Sequence, residues 1–316
     1  MCRLPRILLT SAAATFRRRV SAPEQKSAER NLYIAALLEG NEIWATIKQR
    51  DSVMYYDNDF EVFIDPSGST HNYMELEMNA FNTQWDLLLT MPYRNGGRSV
   101  TAWNMPGVET ACMISGEVNN PAADNKFWSV EIKIPFAGLT ETYSKEKNPP
   151  ELERCYPVRN APTTGEVWRM NFSRVQWTVD IADGKYAKRT GTDGKPLPED
   201  NWVWAATGLI DIHYPETWAY VFFTENGESC PMPEEEKIKL EMYKIYYAQH
   251  EYCRRFGCFA KTAEEAAACL PTGFAYDADA AKKTIVETTS RYFELSRKLT
   301  CGKTMVVQCD GFNYIE

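Results

Sequence analysis

Tyr55-Tyr56-Asp57-Asn58-Asp59-Phe60-Glu61-Val62-Phe63-Ile64-Asp65-Pro66 is the stretch that decides the fold. In an extended chain successive side chains point to opposite faces, so Phe60, Val62 and Ile64 share one face and Glu61 and Phe63 the other. Asp65-Pro66-Ser67-Gly68 then supplies turn chemistry. The next periodic run, Tyr73-Met74-Glu75-Leu76-Glu77-Met78-Asn79, repeats the pattern: Met74, Leu76 and Met78 face inward, and Tyr73, Glu75, Glu77 and Asn79 face away. A strand with so many polar groups on one face either lies open to water or lines a polar site.

Outward from these two strands the pattern stays β from Asn31 to about Thr224. Short runs rich in Val, Ile, Tyr, Phe and Trp are separated by Gly, Pro, Asn and Asp. The expected strands are Leu32–Leu37, Ile43–Ile47, Phe60–Ile64, Tyr73–Asn79, Trp85–Thr90, Thr110–Ser115, Trp128–Pro135, Glu166–Val175 and Tyr220–Phe223, with loops over 140–165 and 183–201. This spacing predicts a mainly β chain, an antiparallel β-sandwich. After Cys230-Pro231-Met232-Pro233 the period changes. Glu234, Glu235 and Glu236 suit the positive end of a helix dipole, and Ile238, Met242, Ile245 and Tyr252 recur at helical spacing up to Gly257. Thr262 and Glu265 form a capping-box pattern, and 284–294 and 303–309 alternate like two strands. The expected organisation is a targeting-like or non-native segment over 1–30, a sandwich over 31–228, and a small α+β appendage, a helix plus a β-hairpin, over 229–316.

Composition narrows the partners. The 316 residues carry a formal charge of −8, without the basic footprint of a nucleic-acid binder. No stretch approaches the ~20 apolar residues of a membrane span. The nine cysteines are odd in number and include no CxxC pair, which predicts mostly free thiols. Residues 1–23 hold Arg3, Arg6, Arg17, Arg18 and Arg19 and no acid; a transit peptide, a damaged export signal and a mis-called start all remain open.

Three histidines, His71, His213 and His250, fall in no HExxH pattern, and there is no GxSxG elbow and no phosphate loop. Carboxylates stand out instead. Asp57, Asp59 and Glu61 recur at period 2, and Glu75 and Glu77 lie nearby. Such groups can serve as a glycosidase pair, as acceptors for sugar hydroxyls, or as calcium ligands at Tyr56-Asp57-Asn58-Asp59. Spacing does not choose among these. Tyr55 and Tyr56 adjoin the acidic run, and alternation places Trp202 and Trp204 on one face; flat rings beside polar edges are what a sugar site requires.

The Tyr55–Pro66 stretch resembles the signature of carbohydrate-binding module family 9. So do Asn72–Ala80, Trp128–Phe136, Trp168–Val175 and His213–Trp218, in order, over residues 31–224. The resemblance implies a non-catalytic β-sandwich of polysaccharide catabolism, secreted or periplasmic, that binds an oligosaccharide or polysaccharide between two aromatic walls and often carries structural calcium. Carried over, Tyr55 and Trp204 are the walls, Glu61, Glu77 and Asn79 the polar contacts, and Asp57 and Asp59 the candidate metal ligands. The sequence departs from the family where Tyr55 replaces a Trp and Glu77 an Arg. Its first strand enters near the family's third or fourth, so the expected sandwich lacks its first strands and self-associates. A glycoside hydrolase built on paired carboxylates, and a structural relative without sugar binding, are the alternative readings.

Overall fold

A computed structural model describes residues 31–139, 161–224, 230–270 and 277–316. Two antiparallel sheets face each other. The smaller has the order β1-β7-β6, from β1 (Asn31–Glu39), β6 (Glu109–Ser115) and β7 (Phe127–Pro135). The larger, seven-stranded sheet has the order β11-β8-β2-β3-β4-β5, from β2 (Asp59–Asp65), β3 (Tyr73–Asn79), β4 (Gln84–Leu89), β5 (Ser99–Val100), β8 (Val167–Gln176) and β11 (Asp200–Val203). Its seventh strand, β12 (Ala219–Phe222), shares one edge of β8 with β11: β11 pairs Ser173–Gln176 and β12 pairs Val167–Met170. A hairpin of β9 (Val179–Ala182) and β10 (Lys185–Lys188) projects from the end of β8.

The core between the sheets is the even-numbered face of the opening stretch. Phe60, Val62, Ile64, Met74, Leu76 and Met78 meet Leu32, Ile34, Leu38, Trp128, Val130, Ile132 and Ile134, all almost fully buried. Each side chain of this size removed from water contributes about 1.5–3 kcal/mol. That gain fixes register, because a slip of one residue would turn every apolar group outward.

Ile43–Ile47 is not a strand. Ile43, Trp44 and Ala45 are buried, but their backbone is held by side chains. Asn119 brackets Ala45, accepting from its N–H at 3.0 Å and donating to its carbonyl at 2.7 Å. Asp57 takes the N–H groups of Thr46 and Ile47. The apolar run therefore forms an irregular strap whose backbone groups are satisfied without a ladder. The loop expected over 183–201 contains β10 and the start of β11. Of the 140–165 loop, 140–160 lies outside the described residues, as does 1–30.

The C-terminal region is richer than a helix and a hairpin. Helix α1 (Glu234–Phe256) ends as the sequence suggests, at Gly257 with φ 73°. Short helices α2 (Ala263–Ala267) and α3 (Ala278–Lys282) follow, then a four-stranded meander: β13 (Ile285–Thr288), β14 (Phe293–Lys298), β15 (Thr304–Gln308) and β16 (Asn313–Ile315). The run 284–294 thus spans one strand, a turn and the start of another. Thr262 caps α2 by accepting from Glu265 N–H at 3.1 Å, but Glu265 reaches back to Lys261 N–H, so only half of the capping box forms. Helix α1 covers the meander through Met242, Ile245, Phe293, Leu295, Met305 and Val307.

This region is joined to the larger sheet by polar contacts. Lys239 and Asn313 donate to Gly68 O, Thr70 and Tyr243 donate to Gly311 O, and Arg94 pairs with Glu216 beside Tyr247. The cysteines among the described residues are free thiols. No helix among the described residues is long and apolar enough to cross a membrane.

Candidate functional site

The odd-numbered face of β2, β3 and β8 points away from the core and carries the acids. Cross-strand register sets Ser173, Glu61, Glu77 and Trp85 in one row. Val175, Asp59 and Asn79 form the row on one side, and Asn171, Phe63, Glu75 and Leu87 the row on the other. This face is not open to water: Asp59 is 0% exposed, Glu61 6%, Glu75 4% and Glu77 2%. Carboxylate oxygens of Asp59, Glu61 and Glu77 lie within 4.8 Å of one another. Like charges directly opposite one another on a sheet are destabilising, and burial raises the cost.

Proton affinities respond accordingly. Burial, and then the charge of Glu61, pushes Asp59 well above the ordinary carboxylate range. Burial and then the charge of Glu75 does the same to Glu77. Burial lifts Glu61 to about 7, eased by Ser173 across the strand pair. Burial and the charge of Glu61 lift Glu75 to about 8. The polar contacts of these groups are with one another and with the neighbouring strand: Glu75 with Glu77, Asp59 with Glu77 and the Val175 backbone, and Glu61 with Ser173.

Two of the residues singled out by sequence have structural partners instead. Asp57 lies before β2, outside the acidic rows. Its carboxylate accepts from Thr46 N–H at 2.7 Å, Thr46 Oγ1 at 2.6 Å, Ile47 N–H at 2.7 Å and Asn79 Nδ2 at 2.9 Å. These donors fill the oxygens a calcium ion would need, so Asp57 does not fit a metal-ligand role; Asp59, its expected partner in that role, faces Glu61 and Glu77. Asn79 is also fully engaged. Its amide donates to Ile47 O and Asp57, and its oxygen accepts from Phe81 N–H and Thr83 N–H. It shapes the turn after β3 and has nothing left for a ligand.

The two expected walls stand on opposite faces. Trp204 donates its N–H to Phe172 O, and its ring packs 5.3 Å from that of Phe172, on the core side. Tyr55 lies over the acidic side, 38% exposed, with its ring 4.9 Å from Tyr56 and 6.5 Å from Trp85. No single cleft has Tyr55 and Trp204 as its walls, because β11 pairs Trp202 with Arg174 on the even-numbered face and Trp204, just past the strand, packs on Phe172 of that same face.

Other rings border the acids. Trp177 donates its indole N–H to Tyr55 O at 2.9 Å, and Lys188 lies 3.2 Å from the centre of the Trp177 ring, with Tyr56 alongside. At the other end, Tyr93 is 43% exposed, and its ring is 4.6 Å from His213. Its hydroxyl is raised by burial and also feels Glu75 and Glu77. The loop after β11 reaches this side because Asn171 clasps Ala205 through both its N–H and its carbonyl. The residue pattern marks Glu75 only as a neighbour of the acidic run and does not single out Tyr93. Ser173 carried no signal at all, since its place depends on the β2–β8 register.

His213 Nδ1 is 2.9 Å from the Tyr73 hydroxyl, and burial, partly offset by Asp211, pulls its pKa down to about 4 from 6.5. The unfolded chain takes the proton near 6.5 and the folded chain resists until about 4, so stability is lost as pH falls through that window. The effect of this residue reaches up to about 3 kcal/mol. Urea melts of wild type and His213→Gln between these pH values check it: the wild type should lose more on acidification, and parallel curves would refute it.

No family model matches this chain, and no curated protein matches it. Among solved structures it is similar to a "putative carbohydrate-binding protein" from Bacteroides uniformis ATCC 8492, with 14% identity and a TM-score of 0.36 over 61% of this chain and 73% of that one. It is also similar to a carbohydrate binding module family 9 protein from Caldicellulosiruptor kristjanssonii in complex with glucose, with 11% identity and a TM-score of 0.33 over 65% of this chain and 76% of that one. Superpositions this loose leave the fold to be read from the chain's own strands.

Proposed function

We propose that this chain binds carbohydrate, without cleaving it, on the odd-numbered face of the larger sheet. The observation that carries this reading is the exposed Tyr55 ring, set over Trp85 in the same row as Glu77 and Glu61. A sugar offers an apolar C–H face to the ring and hydroxyls to the carboxylates. Tyr55 and Tyr56 form the stacking surface, Glu61 and Glu77 accept from hydroxyls, and Tyr93 bounds the far side. A role in polysaccharide catabolism and a secreted or periplasmic location rest on the resemblance of residues 31–224 alone.

Calorimetric titration with mono- and oligosaccharides tests the reading. Tyr55→Ala should weaken binding about tenfold, the equivalent of about 1.4 kcal/mol. Trp204→Ala should lower the melting temperature and leave the affinity of the folded protein unchanged. Absence of heat with every glycan would overturn the proposal. The hydrolase alternative draws on Glu61 and Glu75, whose raised pKa values suit proton donation near neutrality. It requires turnover of aryl-glycosides that Glu61→Gln and Glu75→Gln each abolish.

A further inference from the structure

The outer face of the C-terminal meander carries rings that the fold does not use. Its inner face is spent on α1 through Phe293, Leu295, Met305 and Val307. Strand alternation turns the neighbouring positions outward. Register places Glu294, Gln308 and Phe312 in one row and Ser296, Val306 and Tyr314 in the next. Tyr292, just before β14, shares this face, because its hydroxyl donates to Glu294 Oε2 at 2.9 Å. Gln308 Nε2 donates to the same oxygen at 3.1 Å, and Gln308 also meets the Tyr314 hydroxyl. A polar line from Tyr292 through Glu294 and Gln308 to Tyr314 thus crosses the sheet.

Tyr292 is 36% exposed, and Phe312 and Tyr314 are half-buried, with ring centres 5.7 Å apart and planes inclined by 33°. None of the three belongs to the hydrophobic cluster beneath the sheet. Single exposed rings are ordinary on a protein surface. Three on one face, linked by hydrogen-bonding groups, supply the flat apolar platform and polar edge that a sugar ring matches.

Charge selects among occupants. Glu287, Glu294 and Glu316 outnumber Lys298 on this face. An anionic polymer would be repelled, and a second copy laid against the face would bring like charges together, which is costly. A neutral glycan meets neither penalty.

We propose that the outer face of the meander is a carbohydrate-binding surface for a neutral polysaccharide, with Tyr292, Phe312 and Tyr314 as the platform and Glu294 and Gln308 as hydroxyl partners. The proposal does not rest on the reading of the sandwich face. The two surfaces are nevertheless fastened together. Asn95 donates to Asp310 O in the β15–β16 turn, and Tyr246 of α1 donates to Asn95 Oδ1 at 2.9 Å, in the same turn as Tyr93. A polymer long enough to meet both surfaces gains avidity that a short sugar cannot.

The test is affinity electrophoresis of the full chain through gels containing hydroxyethylcellulose, galactomannan or xyloglucan. At least one of these should retard the wild type, and polygalacturonate should not. Tyr292→Ala combined with Tyr314→Ala should weaken retardation by about tenfold, the scale of lost ring stacking. Thermal melts establish that this variant folds, and Glu294→Gln, which keeps every ring, should weaken retardation by a smaller factor. In a Tyr55→Ala background some retardation should persist and then vanish when the two meander tyrosines are also replaced. Three results would overturn the proposal: no retardation by any neutral polysaccharide, a double variant that migrates like wild type, or a sedimentation dimer that the double variant dissolves. Failure of the sandwich reading alone would look different. Tyr55→Ala would then change nothing, while the meander variants would still abolish retardation.

Discussion

Arg94→Met is expected to destabilise the protein by about 3–5 kcal/mol, the usual cost of removing one partner of a buried ion pair. Arg94 sits in the short 3-10 turn Tyr93–Asn95. Its guanidinium reaches Glu216 Oε1 at 2.7 Å, donates to His213 O at 3.0 Å, and lies 4.1 Å from the centre of the Tyr214 ring. The Glu216 side chain is 2% exposed, and Tyr247 of α1 also donates to its Oε1. Without Arg94 that carboxylate stays buried with a phenol as its main partner. The loss joins two regions of the chain, because Arg94 belongs to the sandwich and Tyr247 to the long helix. Chemical denaturation followed by circular dichroism measures it. Arg94→Met combined with Glu216→Leu should recover most of the stability, since a well-packed apolar pair often replaces a buried ion pair without cost. A single-variant loss below about 1 kcal/mol, the scale of a surface pair, would refute the account.

Trp168→Ala should cost a comparable amount, about 3–5 kcal/mol, by a different route. Trp168 is 0% exposed at the start of β8, with ring centres 4.7 Å from Phe223 and 5.8 Å from Phe136. Its indole N–H donates to Glu166 Oε1 at 2.7 Å. Truncation removes the largest side chain at that corner and leaves a void among aromatic rings that cannot all collapse into it. Trp168→Phe should retain much of the packing and cost clearly less. Equal losses for the two variants would mean that the hydrogen bond to Glu166, not the volume, sets the effect. Neither change touches the acidic face, so ligand affinity of the folded fraction should stay at the wild-type level.

The parts of this protein legible in its sequence are those whose period carries the information. The alternation in Phe60–Ile64 and Tyr73–Asn79 gave both the strands and their sidedness, and Phe60, Val62, Met74 and Leu76 lie in the core as that pattern requires. The 3.6-residue repeat and Gly257 gave α1 and its end. What the pattern could not carry was anything that depends on a partner distant in sequence. Ile43–Ile47 has strand composition, but Asn119 and Asp57 satisfy its backbone. β10 lies in a polar stretch, and its pairing with β9 was invisible in composition. At the candidate site, the placement of Glu61 and Glu77 on one face followed from parity. The register that sets Ser173 beside them did not, nor did the strand pairing that sends Trp204 to the other side. Asp57 looked like a ligand because it sits among ligand-type residues, whereas its carboxylate fastens the 46–47 strap to the turn after β3.

The two faces of β2 and β3 divide the labour of the same fourteen positions by odd and even number. Even positions answer only to the core, and odd positions only to whatever meets the outer face. A lineage can therefore replace Glu61, Glu75 or Glu77 one at a time, trading acid for base or for an amide, while the packing that defines the fold goes unperturbed. It cannot insert or delete a single residue within either strand, because that would exchange the two alphabets at once. Variation in what this scaffold recognises should thus accumulate as substitutions in alternate columns, and variation in length should be confined to the turns.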